Sequence, residues 1–277
     1  MSSSSNNTNT NSNSNNNTNA TKIDYNYERF EPDRYDLESF TGLKIGEKYQ
    51  DVTLYTLDGE PTRLSQYLSE DNKPLVLELG SMTCPLYANN TSKMQKVVNT
   101  YKDRFNFVVM YVREAHPGNY TKPHSSLFDK VKAARVSKKF HNEDRPILVD
   151  DVYGTAHKIY GSLPNTIYII QNNKIKFVGT WNVANELEPI LCEIATSANA
   201  SNEDDKDESG SSSIMITTDT TTMTGTSVDL EKKFVPIPQF NMVFVYTLFQ
   251  GGIVAVYDFL SSLKGLLNKK HAVMSKK

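Results

Sequence analysis

The chain has 277 residues, a formal net charge of −2 and two cysteines, Cys84 and Cys192. The length allows one or two domains. The near-neutral charge balance argues against nucleic acid as a partner, and two cysteines cannot form the disulfide framework of a small secreted domain. No charged-then-apolar stretch opens the chain, so we expect no signal peptide and a cytoplasmic location.

Composition divides the first part of the chain into a polar tract and a folded region. Residues 1–22 are almost entirely Ser, Asn and Thr. Such a tract has no apolar surface to bury against the entropy of ordering, so we predict that it is disordered. Residues 23–197 carry the aromatic and apolar side chains of one folded domain. Near its start, "DVTLYTL" followed by Asp58-Gly59 predicts a strand and a turn.

Strands and helices then alternate. Residues 74–79 and 105–112 are short apolar runs, typical of strands that are buried on both faces. Helical periodicity predicts helices after each of these strands and over residues 185–198. Asn172-Asn173 suits the type I′ turn of a hairpin. The order predicts an α/β protein with a thioredoxin-like fold and an extra helix inserted after the second core strand.

The composition changes again in the last third of the chain. Residues 198–233 are polar, charged and Thr-rich, which predicts a disordered linker. Residues 234–277 form an apolar tail with no charge between residues 240 and 257. That stretch is short for a membrane span, so a span and a helix on the membrane surface or on a partner are both open. We expect membrane contact through residues 240–257.

Cys84 lies where the first buried strand ends and a helix begins. Pro85 suits the first helical position, and open α/β sheets bind ligands at the carboxyl ends of their strands. The free amides and the positive end of the helix dipole predict a reactive thiol with a lowered pKa. A hydrogen bond from the Thr83 hydroxyl would lower that pKa further; an inert buried cysteine is the alternative.

A local resolving thiol is missing from this motif. Position 81 is Ser and position 87 is Tyr, so there is no C-x-x-C pair. We interpret Cys192 as an ordinary helix residue. An oxidised Cys84 therefore needs an external thiol.

The segment "YVREAHPGNY" leaves the second buried strand. Glu114 and His116 alternate, so both are predicted at the sheet edge that holds Cys84. A carboxylate beside a histidine orients the ring and raises its affinity for a proton, which makes His116 a candidate acid; a solvated loop histidine is the alternative. His124 precedes the inserted helix. Leu163-Pro164 precedes a hairpin strand, where thioredoxin folds place a cis proline opposite the catalytic cysteine; a trans turn is the alternative.

Four segments carry a family resemblance: "LELGSMTCPLY", "VVMYVREAHPGNY", "HSSLFDKVKAA" and "YGSLPNTIYIIQNNKIKFVGTW". Their order and spacing resemble the iodothyronine deiodinase family over residues 24–197. The insert between Glu114 and Phe140 is what separates that family from other thioredoxin-like proteins. Cys84 stands at the position of the family's selenocysteine.

The resemblance implies an activity and a site. Cys84 would attack the iodine of an iodinated phenol and take it as a sulfenyl iodide. His124 would contact the phenol or relay protons. The network that protonates the departing ring carbon would consist of Ser81, Thr83, Tyr111, Glu114 and His116.

The resemblance also implies partners. We expect no bound cofactor, an external thiol reductant of the glutathione or thioredoxin type, and a homodimer. Asn165-Thr166 stands where the family often carries a glutamate followed by an arginine, and Met82 stands where several members carry a second cysteine. The Asn-rich tract stands in place of the family's N-terminal membrane anchor.

Two other functions stay open. In a thiol peroxidase resembling the peroxiredoxins, Cys84 would attack a peroxide oxygen and become a sulfenic acid. Such an enzyme needs an arginine beside the thiolate, and Arg113 and Arg145 are the candidates. The third alternative is a non-catalytic thioredoxin-like scaffold tethered to a membrane. The combination of Cys84, Glu114 and His116 favours the dehalogenase.

Overall fold

The computed structural model describes residues 25–30, 42–68, 73–161, 165–180, 184–200 and 242–261. The predicted N-terminal tract, nearly all of the predicted linker and the Leu163-Pro164 pair lie outside the described residues. The fold can be followed from residue 42 to residue 200 with short gaps.

A seven-stranded sheet forms the centre of the fold. Its strands are β1 (Thr53–Tyr55), β2 (Pro61–Arg63), β3 (Leu75–Gly80), β4 (Asn106–Tyr111), β5 (Ile147–Val149), β6 (Thr166–Gln171) and β7 (Lys174–Thr180). They lie in the order β2-β1-β5-β4-β3-β6-β7. Strand β3 pairs in parallel with β4 and antiparallel with β6, and the β3–β4 register places Gly80 opposite Tyr111. The ends of β3 and β4 therefore leave the sheet side by side.

The helices are α1 (Pro85–Tyr101), α2 (Leu127–His141), α3 (Thr155–Tyr160), α4 (Ala184–Ala200), α5 (Met242–Gly251) and α6 (Ile253–Ser261). Local capping sets the bounds of the inserted helix α2. The Ser126 hydroxyl accepts the Asp129 N–H at its start, and Asn142, at φ 49°, ends it in the left-handed region that Asn tolerates. Helix α4 runs past the expected domain end at residue 197.

The element order confirms the predicted thioredoxin-like fold. A β3-α1-β4 unit is followed by the inserted α2, by β5 and α3, and by the β6-β7 hairpin and α4. Asn172 and Asn173 have φ values of 52° and 59°, as both central positions of a type I′ turn require. The predicted hairpin turn is therefore confirmed.

Both faces of the sheet are buried, as the apolar run of β3 predicts. Leu75, Leu77 and Leu79 point to one face, where α3 packs. Val76 points to the other, where it meets apolar side chains of α1 and α4. Cys84 belongs to a third cluster, on the side of α1 and α2, so the thiol begins its helix inside the protein.

Helices α5 and α6 form a bent pair. Among the described residues, no single helix has both the length and the apolar character that a membrane crossing needs. The pair reaches that length and composition only jointly, and its two helices are bent by 116° at the break between them.

Candidate active site

Cys84 occupies the N-cap of α1, as the sequence predicts. The Tyr87 N–H donates to Cys84 Sγ at 3.5 Å, and the Cys84 N–H donates to the Ser81 carbonyl at 3.2 Å. The residue is only 4% exposed. The helix amides therefore reach the thiol in an environment from which water is almost excluded.

Burial decides the protonation state of this thiol. It raises the pKa of Cys84 to about 12, although the amides of Tyr87 and Leu86 oppose it and the charges of Glu78 and Glu114 add to it. The predicted lowered pKa is wrong for this structure, because the loss of hydration outweighs the hydrogen bonds from the helix start. In this conformation Cys84 is a neutral thiol at physiological pH.

The predicted hydrogen bond from Thr83 to the thiol is also absent. The Thr83 hydroxyl donates instead to Glu114 Oε2 at 2.7 Å, and the Thr83 N–H donates to the same oxygen at 2.9 Å. The other oxygen, Oε1, accepts the Tyr111 hydroxyl and lies 3.3 Å from His124 Nε2. Glu114 therefore joins the loop after β3 to the loop after β4.

Glu114 is ionised in this setting. Burial alone would raise the pKa of its carboxyl group, but the contact with His124 and the hydrogen bonds from Tyr111 and Thr83 lower it below its usual value. An ionised carboxylate only accepts hydrogen bonds. Its neighbours must therefore supply the protons, which fixes the direction of the hydroxyl groups of Thr83 and Tyr111.

Further hydrogen bonds hold the two loops in register. Ser81 Oγ accepts the Ala115 N–H at 3.2 Å, and the Tyr111 hydroxyl accepts the Met82 N–H at 3.2 Å. The structure thus brings most of the predicted site together: Ser81, Thr83, Cys84, Tyr111, Glu114, His116 and His124.

His116 lies in this site but not as predicted. Its backbone N–H donates to Thr83 Oγ1 at 3.0 Å, while its ring packs against Phe30 and Phe259, with centroid distances of 4.4 Å and 5.7 Å. Burial lowers the pKa of His116 to about 3, with Asp258 and Glu114 opposing. The expectation that Glu114 orients the His116 ring is wrong, because the carboxylate faces His124.

Two sets of residues near the site were not predicted from the sequence. Phe30, Asp258 and Phe259 reach His116 from distant parts of the chain, and no local pattern marks them. Arg145 donates to Glu78 Oε2 at 2.5 Å and to Glu143 Oε1 at 2.8 Å. A signal existed for this ion pair, since Glu78 is a charge inside the apolar run "LVLELG" and predicts a buried partner.

The segment before β6 contacts the end of β3. Leu163 and Pro164, the predicted cis-proline pair, lie outside the described residues. Asn165, which follows them, is buried and donates its N–H to the Leu79 carbonyl at the end of β3. Within the described ranges, no group of three or more His, Cys, Asp or Glu side chains is arranged to hold a metal ion.

The sheet order and the cysteine at the start of α1 define a thioredoxin-fold protein with a thiol site. The family model described as iodothyronine deiodinase matches residues 5–186. The chain therefore belongs to the iodothyronine deiodinase family, which confirms the resemblance.

Curated relatives agree with this membership. The chain is 28% identical over 143 residues to a type I iodothyronine deiodinase of Xenopus laevis, covering 49% of this chain and 56% of that protein. It is 35% identical over 117 residues to a thyroxine 5-deiodinase of Ovis aries, covering 39% and 40%, and 32% identical over 120 residues to one of Homo sapiens, covering 40% and 39%. The matches thus span about half or less of each relative.

Solved structures with a similar backbone include peroxidoxin BcpB of Mycobacterium tuberculosis, with a TM-score of 0.42 and 19% identity over 56% of this chain and 97% of that one. A thioredoxin-like protein from Aeropyrum pernix has a TM-score of 0.42 and 15% identity over 52% and 89%.

Proposed function

We propose that this protein is a thiol-dependent reductive deiodinase that acts through Cys84 on iodothyronine-like iodinated phenols. One observation carries the proposal: beside a cysteine at a helix start, the Glu114 carboxylate binds two hydroxyl groups and faces His124. His124 Nε2 lies 3.3 Å from Glu114 Oε1, and His124 Nδ1 is buried without a hydrogen bond to the described residues. Nδ1 is therefore the ring nitrogen left for the phenol of a substrate.

The chemistry transfers iodine from carbon to sulfur. The Cys84 thiolate gives an electron pair to iodine, the S–I bond forms, and the C–I bond breaks with its electron pair left on the ring carbon. That carbon takes a proton, so carbon is reduced and sulfur is oxidised to a sulfenyl iodide. An external thiol then displaces iodide to form a mixed disulfide, and a second thiol releases Cys84.

The surrounding residues handle the proton. Thr83 and Tyr111 both donate to Glu114, so their hydroxyl protons and the carboxylate form one exchangeable network beside Cys84. We assign the phenol contact to His124 and keep His116, neutral in this structure, as the second candidate for proton delivery. Leu163 and Pro164 stay predicted substrate contacts.

The thiol peroxidase is less well supported, because the two candidate arginines are held elsewhere. Arg145 is bound by Glu78 and Glu143. The Arg113 guanidinium lies over the ring of Tyr27, 4.8 Å from its centroid, and donates to the Tyr25 carbonyl at 3.3 Å. Neither candidate arginine is therefore placed to stabilise the departing oxygen of a peroxide at Cys84.

The proposal extends to partners and location. We propose a cytoplasmic protein that uses an external thiol of the glutathione or thioredoxin type, that forms a homodimer, and that contacts a membrane through residues 240–257. Large apolar side chains of α5 and α6 are exposed within this range, which supports the membrane contact.

The test uses purified full-length protein with dithiothreitol, and measures iodide release from an iodothyronine and, separately, the consumption of hydrogen peroxide. Cys84→Ser should abolish iodide release. Cys192→Ser is the matched control, because Cys192 is exposed on α4, and it should keep nearly full activity. Rapid peroxide reduction without iodide release would assign the protein to the thiol peroxidases. A large loss in Cys192→Ser would mean that this cysteine resolves the oxidised Cys84.

A further inference from the structure

Helices α5 and α6 close over the loop that carries His116. A Cβ atom added to Gly118 would lie 1.9 Å from the Gly251 carbonyl oxygen, and one added to Gly251 would lie 2.2 Å from the His116 carbonyl oxygen. The Thr121 hydroxyl donates to the Gln250 carbonyl at 2.8 Å. The bend between the two helices thus contacts the loop of His116 through main-chain atoms of both segments.

Side chains complete this cover. Phe259 packs on the His116 ring from α6, and Asp258 accepts Arg29 Nε at 2.9 Å. Phe30, next to Arg29, packs on the same ring. Helix α5 also packs against α1, the helix that begins directly after Cys84. The pair therefore buries the loop of His116 and lies against the helix that begins after Cys84.

The cover has its own small core. Phe244, Leu248 and Phe259 form a buried cluster with Val256 against it, distinct from the clusters on the two faces of the sheet. Outside this cluster α5 packs against α1, and Tyr246 stacks on Phe140 of α2; an element with a separate small cluster can open at lower free energy than the main core. The helix pair can therefore leave the site loop without unfolding the sheet.

The outer face of the pair is apolar. Its exposed large side chains are Met242, Val243, Val245, Tyr246, Phe249, Ile253, Tyr257 and Leu260. From residue 242 to the end of the sequence the sole acidic residue is Asp258, whereas lysines stand at positions 264, 269, 270, 276 and 277. An apolar helix face followed by a basic segment matches the chemistry of an anionic lipid surface.

We propose that the α5–α6 pair is a docking surface for an anionic membrane, and that docking lifts it from the loop of His116 and uncovers the Cys84 site. The proposal rests on the proposed function in one respect, that the uncovered thiol is the one that deiodinates. The apolar outer face enters the lipid interface, the positive charge that follows it in the sequence favours anionic headgroups, and the two glycine contacts separate. The burial that keeps Cys84 protonated is then relieved.

The first experiment measures the alkylation of Cys84 by iodoacetamide in full-length Cys192→Ser protein. The rate is compared in buffer, with phosphatidylcholine vesicles, and with vesicles that also contain phosphatidylglycerol. Anionic vesicles should accelerate labelling at least about tenfold, the change that one unit of thiol pKa gives below the pKa. Tyr257→Ser should weaken this response. Tyr153→Ser is the matched control, since Tyr153 is 59% and Tyr257 65% exposed.

The second experiment opens the cover without lipid. Gly118 does not have a positive φ, so Gly118→Ala suits its own backbone and disfavours the contacts with Gly251 and Ala255 of the helix pair. This variant should label faster than its parent in buffer, with an unchanged circular dichroism spectrum.

Several results would overturn the proposal. If the protein floats with anionic vesicles but Cys84 is alkylated no faster, the α5–α6 pair is a docking surface and not a lid. Equal acceleration by neutral vesicles would remove the role of charge. A lipid-free dimer that Tyr257→Ser dissociates would make a second copy the occupant of this face. Because the readout is alkylation, the lid can be confirmed even if iodide release fails, and the two proposals fail separately.

Discussion

The Cys84 sulfur lies where two effects on its proton oppose each other. The amide of Tyr87 donates to the sulfur and favours the thiolate, whereas burial favours the neutral thiol and raises the pKa to about 12. Desolvation acts on the whole charge, while each amide supplies a single weak bond to sulfur, so burial dominates. The thiol is therefore mainly protonated at neutral pH in this conformation.

A pH profile of alkylation tests this balance in Cys192→Ser protein. Because a raised pKa keeps the thiol protonated, the labelling rate of Cys84 should rise about tenfold per pH unit from about pH 7 to about pH 10, without levelling off near the ordinary cysteine value of about 8.5. A labelling rate that levels off below that value would show that the hydrogen bonds from the helix amides outweigh burial.

The Glu114 carboxylate distinguishes the two histidines of the candidate site. Its carboxylate lies 3.3 Å from His124 Nε2, whereas the ring of His116 lies against Phe30 and Phe259. The energetic coupling of Glu114 to each histidine distinguishes a pairing with His124 from a pairing with His116.

A double-mutant cycle on deiodination measures that coupling. Glu114→Gln, His124→Ala and His116→Ala should each slow iodide transfer by about 10²–10⁴-fold, as for a positioned proton donor. The Glu114→Gln/His124→Ala double variant should be little slower than the worse single variant, while the losses of Glu114→Gln and His116→Ala should multiply. Peroxide reduction should stay near the parent rate in all of them. Coupling to His116 instead would restore the pairing that the sequence suggested.

At the scale of elements, a buried ion pair fastens α1 and the end of α2 to the central strand. Arg145 binds Glu78 of β3 and Glu143 after α2. Glu143 also accepts the Tyr87 hydroxyl, and Asn90 donates to Glu78. The helix that presents Cys84 is therefore held by polar contacts beneath it as well as by apolar packing.

Removing the positive charge of Arg145 should destabilise the folded protein. Arg145→Met leaves two buried carboxylates without their cation, so the free energy of unfolding at neutral pH should fall by about 3–5 kcal/mol, as measured by urea denaturation. Lower pH should shrink the loss, because the stranded carboxylates acquire raised pKa values and become neutral as the pH falls. Arg63→Met is the control: its side chain is 52% exposed beside Asp51, so the loss should stay below about 1 kcal/mol. Equal losses in both variants would mean that the buried network does not fasten α1.

At the scale of the whole molecule, segments from opposite ends of the chain meet over the site. Residues 25–30 bring Phe30 and Arg29, and α6 brings Phe259 and Asp258. Tyr27 adds a hydrogen bond from its hydroxyl to the Ala115 carbonyl at 2.9 Å. The sheet supplies the site, and these segments cover it.

Hydrogen exchange should separate the cover from the sheet. Because α5 and α6 have their own small cluster, their amides should exchange by local opening at least about 100-fold faster than those of β3 and β4. Mass-spectrometric exchange of the full-length protein measures this difference. Equal protection would show that the pair opens only when the whole protein unfolds.

The sequence by itself determined the order of the elements, the hairpin turn, the helix start at Cys84 and most of the residues that meet beside it. Apolar periodicity, capping residues and Asn-Asn turns act between near neighbours in the chain, so they can be recognised without a structure. The shared edge of two parallel strands then placed the residues after β3 and β4 together.

Only the tertiary structure decided the partner of Glu114, the protonation of Cys84, the partners of Glu78 and the cover over His116. Each depends on residues far apart in the chain, such as Arg29 with Asp258 or Glu78 with Arg145. Burial is a property of the packed whole: the helix start that the sequence encodes lowers the pKa of a thiol, but the amount of water that reaches Cys84 is set by elements packed around it from the entire chain.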